Sequence, residues 1–283
     1  MPTPAKLVYV MSLRNAAADR AGQYIPYRGA ERYMMSPLEF LAGALNDTPL
    51  GEAYSLEAVI FDDDPGSPAD LEKLADYGFV PHARDNWIYP PDLLVQGRPV
   101  GQLLRNIPST YRRLPLNDRN RPPGKQDFER RLRAQLDEAE ADLVVLDGLL
   151  VILDDLVRPH SPYHRRIVNI HPGITRLDSP YERRGAYATL DALHGARGEQ
   201  VVNWQTMKTE RRAPVLKTGA SFHYVDNGID SGEVILDVLG TDIGPEDTIL
   251  ELRWNNFNNS LFPALRQGLA RMADLRSREG AAP

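Results

Sequence analysis

The chain is constrained most by one short strand-like run, Ile167-Val168-Asn169-Ile170-His171, which ends at Pro172-Gly173. Apolar residues alternate in it with Asn169 and His171, so these two polar side chains project to the same side of a strand. Proline and glycine then stop the strand, as is typical where a parallel strand opens into the ligand crevice of an α/β sheet. The run therefore predicts one amide and one imidazole at the end of a buried strand.

Composition narrows the class of protein. With 283 residues, 42% hydrophobic and 25% charged, the chain is expected to be globular and to form one large domain or two modest ones. It has no apolar run near the roughly 20 residues that cross a bilayer and no signal peptide, which predicts a cytoplasmic protein without a membrane partner. Its net charge of −6 argues against a nucleic-acid partner. A small-molecule substrate is therefore expected.

The order of the elements predicts the fold class. Short apolar runs at 6–11, 56–61 and 143–146 are predicted strands, and they alternate with helical patterns such as the one that begins at Ser36-Pro37. A capping box at 248–251 starts a long core-facing helix that Pro263 is expected to kink. This pattern predicts a single α/β domain that spans residues 1–283. Its core is expected to be a mostly parallel twisted sheet with helices on both faces.

Two long segments lack clear periodicity. Residues 89–124 form a predicted surface excursion rich in proline and arginine, and residues 198–217 a polar, irregular insertion. The arginines of the excursion could clamp a ligand's carboxylates, but a solvated loop paired with surplus acids is the favoured interpretation. Similarly, Asp62-Asp63-Asp64 could bind a hard cation, but a solvated turn at a strand end is favoured. The predicted loop at 12–19 has no glycine, which argues against a phosphate cradle.

Asn169, His171 and the distant Asp230 are the main candidates for chemistry. An amide N–H and an imidazole N–H aimed at one point can stabilise negative charge on a carbonyl oxygen. A nearby carboxylate can orient the imidazole, raise its pKa or accept a proton. The chain has no cysteine and no obvious nucleophile motif, so acyl transfer between two bound molecules is indicated. Turn capping by the same residues explains the spacing equally well.

Three other histidines give weaker indications of function. His160 and His164 have the spacing of a helical metal pair, but Pro162 separates them and no third ligand is evident, so no metal is expected. His223, on a predicted strand before Asp230, is interpreted as a packed histidine whose ring nitrogens bond to neighbours.

Three ordered blocks carry a resemblance to a known family. Asn169-Ile170-His171-Pro172, then Thr218 to Val225, then Ile229-Asp230-Ser231-Gly232 resemble the signature of the folate-dependent formyltransferases, with their Rossmann-like formyltransferase fold. The resemblance implies 10-formyltetrahydrofolate as the donor, with Asn169 and His171 stabilising the oxyanion and Asp230 orienting and charging His171 and helping to move protons. The implied pterin pocket comprises the following residues: Leu149, Leu150, Val151, Ile152, Leu153, Asp226, Asn227 and Gly228.

Departures from the family pattern bear on the acceptor. The acidic chain ends soon after its last predicted helix, whereas methionyl-tRNA formyltransferases carry a further nucleic-acid-binding domain. Ser12-Leu13-Arg14-Asn15 replaces the phosphate loop of the glycinamide ribonucleotide enzymes, and Pro172-Gly173-Ile174-Thr175-Arg176 replaces the family's Pro-Ser-Leu-Leu-Pro. Formyltetrahydrofolate hydrolases carry an N-terminal regulatory domain, for which no room is expected before Lys6. The acceptor side is therefore predicted to be remodelled.

Three features together resemble the N5-hydroxyornithine transformylases of pyoverdine-type siderophore biosynthesis. They are these departures, the long excursion before Lys125 and the segment Tyr181-Glu182-Arg183-Arg184-Gly185-Ala186-Tyr187. This resemblance implies formylation of the hydroxylamine nitrogen of N5-hydroxyornithine, and Ser12, Arg14 and Asn15 are the candidate acceptor contacts. An N-formyltransferase acting on an amino sugar nucleotide or another small amine is the nearest rival. A non-catalytic folate-binding or scaffold protein is the rival of another class.

Overall fold

The computed structural model describes residues 3–75, 77 and 87–279. The strands are β1 (Ala5–Met11), β2 (Tyr24–Tyr27), β3 (Ala30–Tyr33), β4 (Tyr54–Phe61), β5 (Leu94–Val95), β6 (Arg98–Pro99), β7 (Leu104–Asn106), β8 (Leu143–Asp147), β9 (Ile167–His171), β10 (Glu199–Asn203), β11 (Lys208–Arg211), β12 (Lys217–Tyr224) and β13 (Val234–Asp242). The α-helices are α1 (Leu13–Ala18), α2 (Pro37–Asp47), α3 (Leu50–Ala53), α4 (Pro68–Lys73), α5 (Arg121–Glu138), α6 (Ala188–Ala196), α7 (Ile249–Asn256) and α8 (Phe262–Glu279).

The main sheet confirms the predicted fold class. Across the described residues its strand order is β13-β12-β9-β8-β1-β4-β7. β1 pairs in parallel with β4 and β8, β4 pairs in parallel with β7, and β12 and β13 are antiparallel. The protein is thus an α/β protein with a mostly parallel sheet. No helix in the described part of the chain is both long enough and apolar enough to cross a membrane.

The chain divides into two compact units. The first comprises the described residues up to 24, from 33 to 168 and from 225 to 227. Its strands β1 and β8 are almost wholly buried, which explains their continuous apolar sequence. Apolar side chains of α5, among them Phe128, Leu132 and Leu136, pack with residues of β1, β4 and β8 in one core cluster.

Strand register in the first unit brings three loops to one edge of the sheet. Met11 at the end of β1 lies opposite Phe61 of β4 and Asp147 of β8. The residues that follow these strands begin with Ser12, Asp62 and Gly148, so all three loops leave the sheet at its carboxyl edge. In α/β proteins this is the edge where ligands bind.

The second unit comprises residues 25–32, 169–224 and the described chain from 228 onward. It contains the end of β9, the antiparallel pair β12–β13, and the helices α6, α7 and α8. The predicted capping box is present: Thr248 accepts a hydrogen bond from the Glu251 amide and Glu251 accepts one from the Thr248 amide. The predicted single helix is interrupted by a π-helical turn, Phe257–Leu261, and Pro263 lies in the first turn of the following helix.

Several predicted irregular segments have regular structure. The predicted loop at 12–19 forms α1, and the excursion at 89–124 contains β5, β6, the edge strand β7 and the start of α5. The insertion at 198–217 contains an antiparallel hairpin of β10 and β11. These elements are short or lack an apolar face, so the hydrophobic periodicity of the sequence did not indicate them.

Candidate active site

The side chains of Asn169 and His171 are positioned by the end of β9. His171 is buried, with 6% of its surface exposed, and Asn169 is half-buried. Immediately after the strand, Gly173 leaves room for the backbone beside it. A Cβ atom at Gly173 would lie 2.6 Å from the Arg183 carbonyl oxygen and 3.1 Å from His171 Nε2.

Asp230 joins these two residues in the second unit. Asn169 Nδ2 donates to Asp230 Oδ1 at 3.1 Å, and His171 Nδ1 lies 3.3 Å from Asp230 Oδ2. The backbone of Asp230 has a left-handed φ of 47°, which few non-glycine residues adopt and which supports a functional constraint here. The structure therefore brings together the three residues that the sequence predicted as a catalytic group, and their catalytic role stays a prediction.

The segment 183–185 holds the same two side chains from a second direction. His171 Nε2 lies 3.1 Å from the Arg183 carbonyl oxygen, and the Gly185 amide donates to Asp230 Oδ2 at 2.8 Å. Arg183 is itself buried, and its Nε lies 3.2 Å from Asp191 Oδ2 in α6. The sequence did not predict these contacts, because they use main-chain atoms, which no side-chain pattern encodes.

His223 on β12 completes the cluster. It is 1% exposed, and its Nδ1 lies 2.8 Å from the Tyr224 carbonyl oxygen. Its Nε2 lies 3.3 Å from Asn169 Nδ2 and 3.6 Å from Asp230 Oδ1. The predicted packed histidine with bonded nitrogens is therefore present, but its neighbours are two of the candidate catalytic residues.

The pKa values of Asp230 and His171 are both lowered from their ordinary values. Burial alone would raise the pKa of Asp230, but hydrogen bonding with His223, the charge of His171 and the Gly185 amide together lower that pKa well below its usual range. Burial lowers the pKa of His171 from the ordinary histidine value, and Asp230 and the Arg183 carbonyl oppose this shift without reversing it. Asp230 is thus an anion at neutral pH, and its expected role in orienting and charging His171 stays a prediction.

The predicted pterin residues are divided between the units. Leu149 to Leu153 form a loop without regular structure in the first unit, together with Asp226 and Asn227, while Gly228 belongs to the second. Val151 and Leu153 are buried in the core, whereas Leu150 and Ile152 are each 45% exposed. Two large apolar side chains are therefore available to a ligand from this loop, and the donor-binding role stays a prediction.

The candidate acceptor contacts near α1 are largely engaged within the protein. Arg14 is 5% exposed and binds both oxygens of Asp62, at 3.0 Å each, and Asp63 Oδ1 at 3.2 Å. Ser12 is fully buried and donates from Oγ to Asp62 Oδ1 at 2.6 Å. Asn15 is half-buried and near Asp19, with 3.5 Å between Nδ2 and Oδ2. The structure thus gives Arg14 and Ser12 internal partners, and the role of these residues as acceptor contacts stays a prediction.

The three aspartates after β4 are not a solvated turn. Asp62, Asp63 and Asp64 are at most 1% exposed. Burial and the neighbouring Asp62 raise the pKa of Asp63 to about 6, against the lowering effects of Arg14 and of the Leu13 and Arg14 amides. The expectation of solvated acids was wrong because arginines from distant sequence neutralise these acids.

Two arginines of the excursion pair with acids, as the favoured interpretation expected, although these acids are buried. Arg112 lies 3.1 Å from Asp70, and Arg113 binds Asp64. Arg121 instead donates to the Leu114 carbonyl oxygen. Asp64 and Asp70 are buried, so these pairs anchor the excursion to the first unit. In the described ranges, 3–75, 77 and 87–279, no group of three histidine, cysteine, aspartate or glutamate side chains is placed to hold a metal ion.

Comparisons with known proteins show the family of the chain. Residues 115–264 of the 283, just over half of the chain, match the family model described as formyl transferase. Phosphoribosylglycinamide formyltransferase of Bacillus subtilis (strain 168) is 26% identical over 188 residues, which cover 64% of this chain and 80% of that protein. The structure of glycinamide ribonucleotide transformylase 1 from Symbiobacterium toebii shares the fold, with a TM-score of 0.57 at 16% identity over 98% of this chain and 91% of that one.

One solved structure is far more similar. PvdF of pyoverdin biosynthesis, an N10-formyltetrahydrofolate-dependent formyltransferase, is 62% identical and superposes with a TM-score of 0.91, covering 96% of this chain and 99% of that chain. The residues that match the family model include Asn169, His171 and Asp230. The chain belongs to the formyl transferase family.

Proposed function

We propose that the protein transfers a formyl group from N10-formyltetrahydrofolate to the hydroxylamine nitrogen of N5-hydroxyornithine, as a step in making a hydroxamate siderophore. The observation that carries the proposal is the hydrogen-bonded cluster of Asn169, His171 and Asp230. The donor and the pathway are supported by the 62% identity to PvdF, whose structure is described as that of an N10-formyltetrahydrofolate-dependent enzyme of pyoverdin biosynthesis.

In the proposed reaction the acceptor nitrogen attacks the formyl carbon and forms a new C–N bond. The carbonyl oxygen becomes an oxyanion, for which the N–H groups of Asn169 and His171 are the candidate donors. The C–N10 bond then breaks, the proton lost by the attacking nitrogen is transferred to N10, and tetrahydrofolate leaves. A hydroxylamine nitrogen is largely unprotonated near neutral pH, so it attacks without prior removal of a proton.

The charge state of the cluster suits this reaction. Because Asp230 is ionised and burial lowers the pKa of His171, the neutral imidazole beside the carboxylate is a candidate proton acceptor. A proton gained at His171 Nε2 would find the Arg183 carbonyl oxygen 3.1 Å away as a hydrogen-bond acceptor. The imidazolium formed in this way would stabilise the neighbouring oxyanion at the stage when negative charge develops.

The hydrogen bonds made just after β1 support the proposal that the acceptor carries no phosphate. The first amides of α1, those of Leu13 and Arg14, donate to Asp63 at 2.6 and 2.9 Å. In enzymes that bind phosphate after a first strand, such amides bind the ligand. Here a buried carboxylate takes them, which supports an amino-acid acceptor over an amino sugar nucleotide.

A panel of acceptors tests the proposal. Purified protein is incubated with N10-formyltetrahydrofolate and, separately, with N5-hydroxyornithine, ornithine, glycinamide ribonucleotide and an amino sugar nucleotide, and deformylated folate is followed by absorbance. Turnover is expected with N5-hydroxyornithine and is expected to be lost in the His171→Ala variant. Turnover with the sugar nucleotide and none with hydroxyornithine would overturn the acceptor assignment. Wild-type levels of siderophore from a strain carrying His171→Ala would instead favour a scaffold.

A further inference from the structure

Glu129 is a buried acid on α5, a helix that carries many other charged residues. It is 4% exposed, and it follows Phe128, which belongs to the core. A carboxylate in such a place is costly unless donors satisfy it. Lys125, one turn earlier, lies 3.6 Å from Glu129 Oε1.

The principal partners of Glu129 are main-chain amides of the segment after β8. The Asp154 amide lies 3.0 Å from both Oε1 and Oε2, and the Leu156 amide donates to Oε2 at 3.3 Å. Hydrogen bonds to a carboxylate are stronger than those between neutral groups. Glu129 therefore fixes the chain immediately after the loop 149–153.

The other end of this loop is also fixed. The Leu150 amide donates to Ser12 Oγ at 3.3 Å, and Ser12 is held in turn by Asp62. Between the two anchors, Val151 and Leu153 point into the core, and Leu150 and Ile152 remain 45% exposed. The loop thus presents two apolar side chains from a backbone held at both ends.

We propose that Glu129 is a positioning residue for the formyl donor: by binding the Asp154 and Leu156 amides, it orders the loop whose apolar side chains contact the pterin ring. This inference rests on the proposed function, since it assumes a folate as donor. If the anchor is lost, the loop must be ordered when the donor binds, and the entropy of that ordering weakens binding. Asn169, His171 and Asp230 lie on other elements, so the chemical step is left intact.

The test compares Glu129→Gln with Glu138→Gln, a control at the end of the same helix whose side chain is 61% exposed. Glutamine keeps the shape of Glu129 but removes the charge. We expect the KM for N10-formyltetrahydrofolate to rise about tenfold in Glu129→Gln, the equivalent of losing one charge-assisted hydrogen bond. The kcat and the KM for hydroxyornithine should stay within about twofold of wild type, and Glu138→Gln should match wild type.

Hydrogen exchange supplies a readout that does not depend on activity. The amides of Asp154 and Leu156 should exchange faster in Glu129→Gln than in Glu138→Gln, because a neutral amide with one acceptor oxygen replaces a carboxylate with two. Faster exchange with an unchanged KM for the donor would show a purely structural anchor and overturn the proposal. So would a loss of kcat with the donor KM unchanged. If Glu129→Gln does not fold, Glu129→Asp keeps the charge with a shorter reach, and a smaller rise in the same KM is expected.

Binding of tetrahydrofolate by calorimetry separates this inference from the proposed function. If the wild-type protein formylates no hydroxylamine and Glu129→Gln binds tetrahydrofolate more weakly than wild type, the inference stands and the proposed acceptor is wrong. Equal binding by wild type and Glu129→Gln, with turnover intact, would defeat the inference and leave the proposed function standing. Absence of tetrahydrofolate binding by the wild-type protein would defeat both.

Discussion

Asn169 donates its side-chain N–H to Asp230, with 3.1 Å between Nδ2 and Oδ1. The other carboxylate oxygen of Asp230 faces His171, so the two donors of the predicted oxyanion site converge on one carboxylate. The second N–H of the Asn169 amide faces His223, 3.3 Å away. A formyl oxygen bound here would therefore have to replace Asp230 or His223 as the acceptor of one Asn169 N–H.

Loss of the Asn169 amide should affect chemistry more than binding. For Asn169→Ala we expect kcat to fall by roughly a hundredfold or more, as on removal of an oxyanion donor, with a small change in the KM of either substrate. Asn258→Ala, at an exposed position in the π-helical turn, is the control. Steady-state kinetics in both substrates checks this, and a variant within threefold of the wild-type kcat would contradict the role of Asn169.

Asp230 should stabilise the fold in its ionised form. The pKa of Asp230 is lowered in the folded protein, so its contribution to stability is present above the unfolded pKa and is lost as pH falls through the folded pKa. The difference in unfolding free energy between wild type and Asp230→Asn should therefore be constant above about pH 5 and shrink below about pH 4. Urea denaturation at several pH values measures it. A difference that grows as pH falls would show that the carboxylate is protonated in the fold.

Arg14 should matter for stability through the acids it neutralises. In Arg14→Ala the buried Asp62 and Asp63 lose a shared cation, and we expect the unfolding free energy to fall by about 3–5 kcal/mol. The exposed Arg119→Ala is the control and should change it by less than about 0.5 kcal/mol. Denaturant unfolding monitored by circular dichroism compares them. A loss below about 1 kcal/mol in Arg14→Ala would contradict this role of Arg14.

Gly173 should be intolerant of any side chain. A Cβ atom there would lie 2.6 Å from the Arg183 carbonyl oxygen, so the segment 183–185 must shift and disturb both His171 and Asp230. We expect Gly173→Ala to lower kcat roughly tenfold to a hundredfold, the scale of a displaced catalytic group. In Gly43→Ala, within α2, the added Cβ meets nothing within 4 Å, so that variant should keep full activity. Equal activity of the two variants would show that the segment accommodates the change.

Local sequence patterns were sufficient for the elements that carry the site. The alternation in β9, the Pro-Gly stop, the serine cap of α2 and the capping box of α7 each depend on residues within a few positions of one another. The same kind of pattern placed Asn169 and His171 on one side of a strand end. Asp230 was a third candidate, with turn capping as an equal alternative for all three residues, and the family resemblance then implied a shared role for them.

The tertiary structure decided what surrounds those residues. That Asp62 to Asp64 are buried, that Arg14 binds them, and that His223 and the main chain at 183–185 touch the candidate catalytic group are all contacts between distant parts of the sequence. Charge and burial of a side chain depend on which strands become neighbours, and no local period encodes strand order. The sequence by itself thus determined the strand end and its two polar side chains, and only the fold determined their partners and protonation, because both arise from long-range packing.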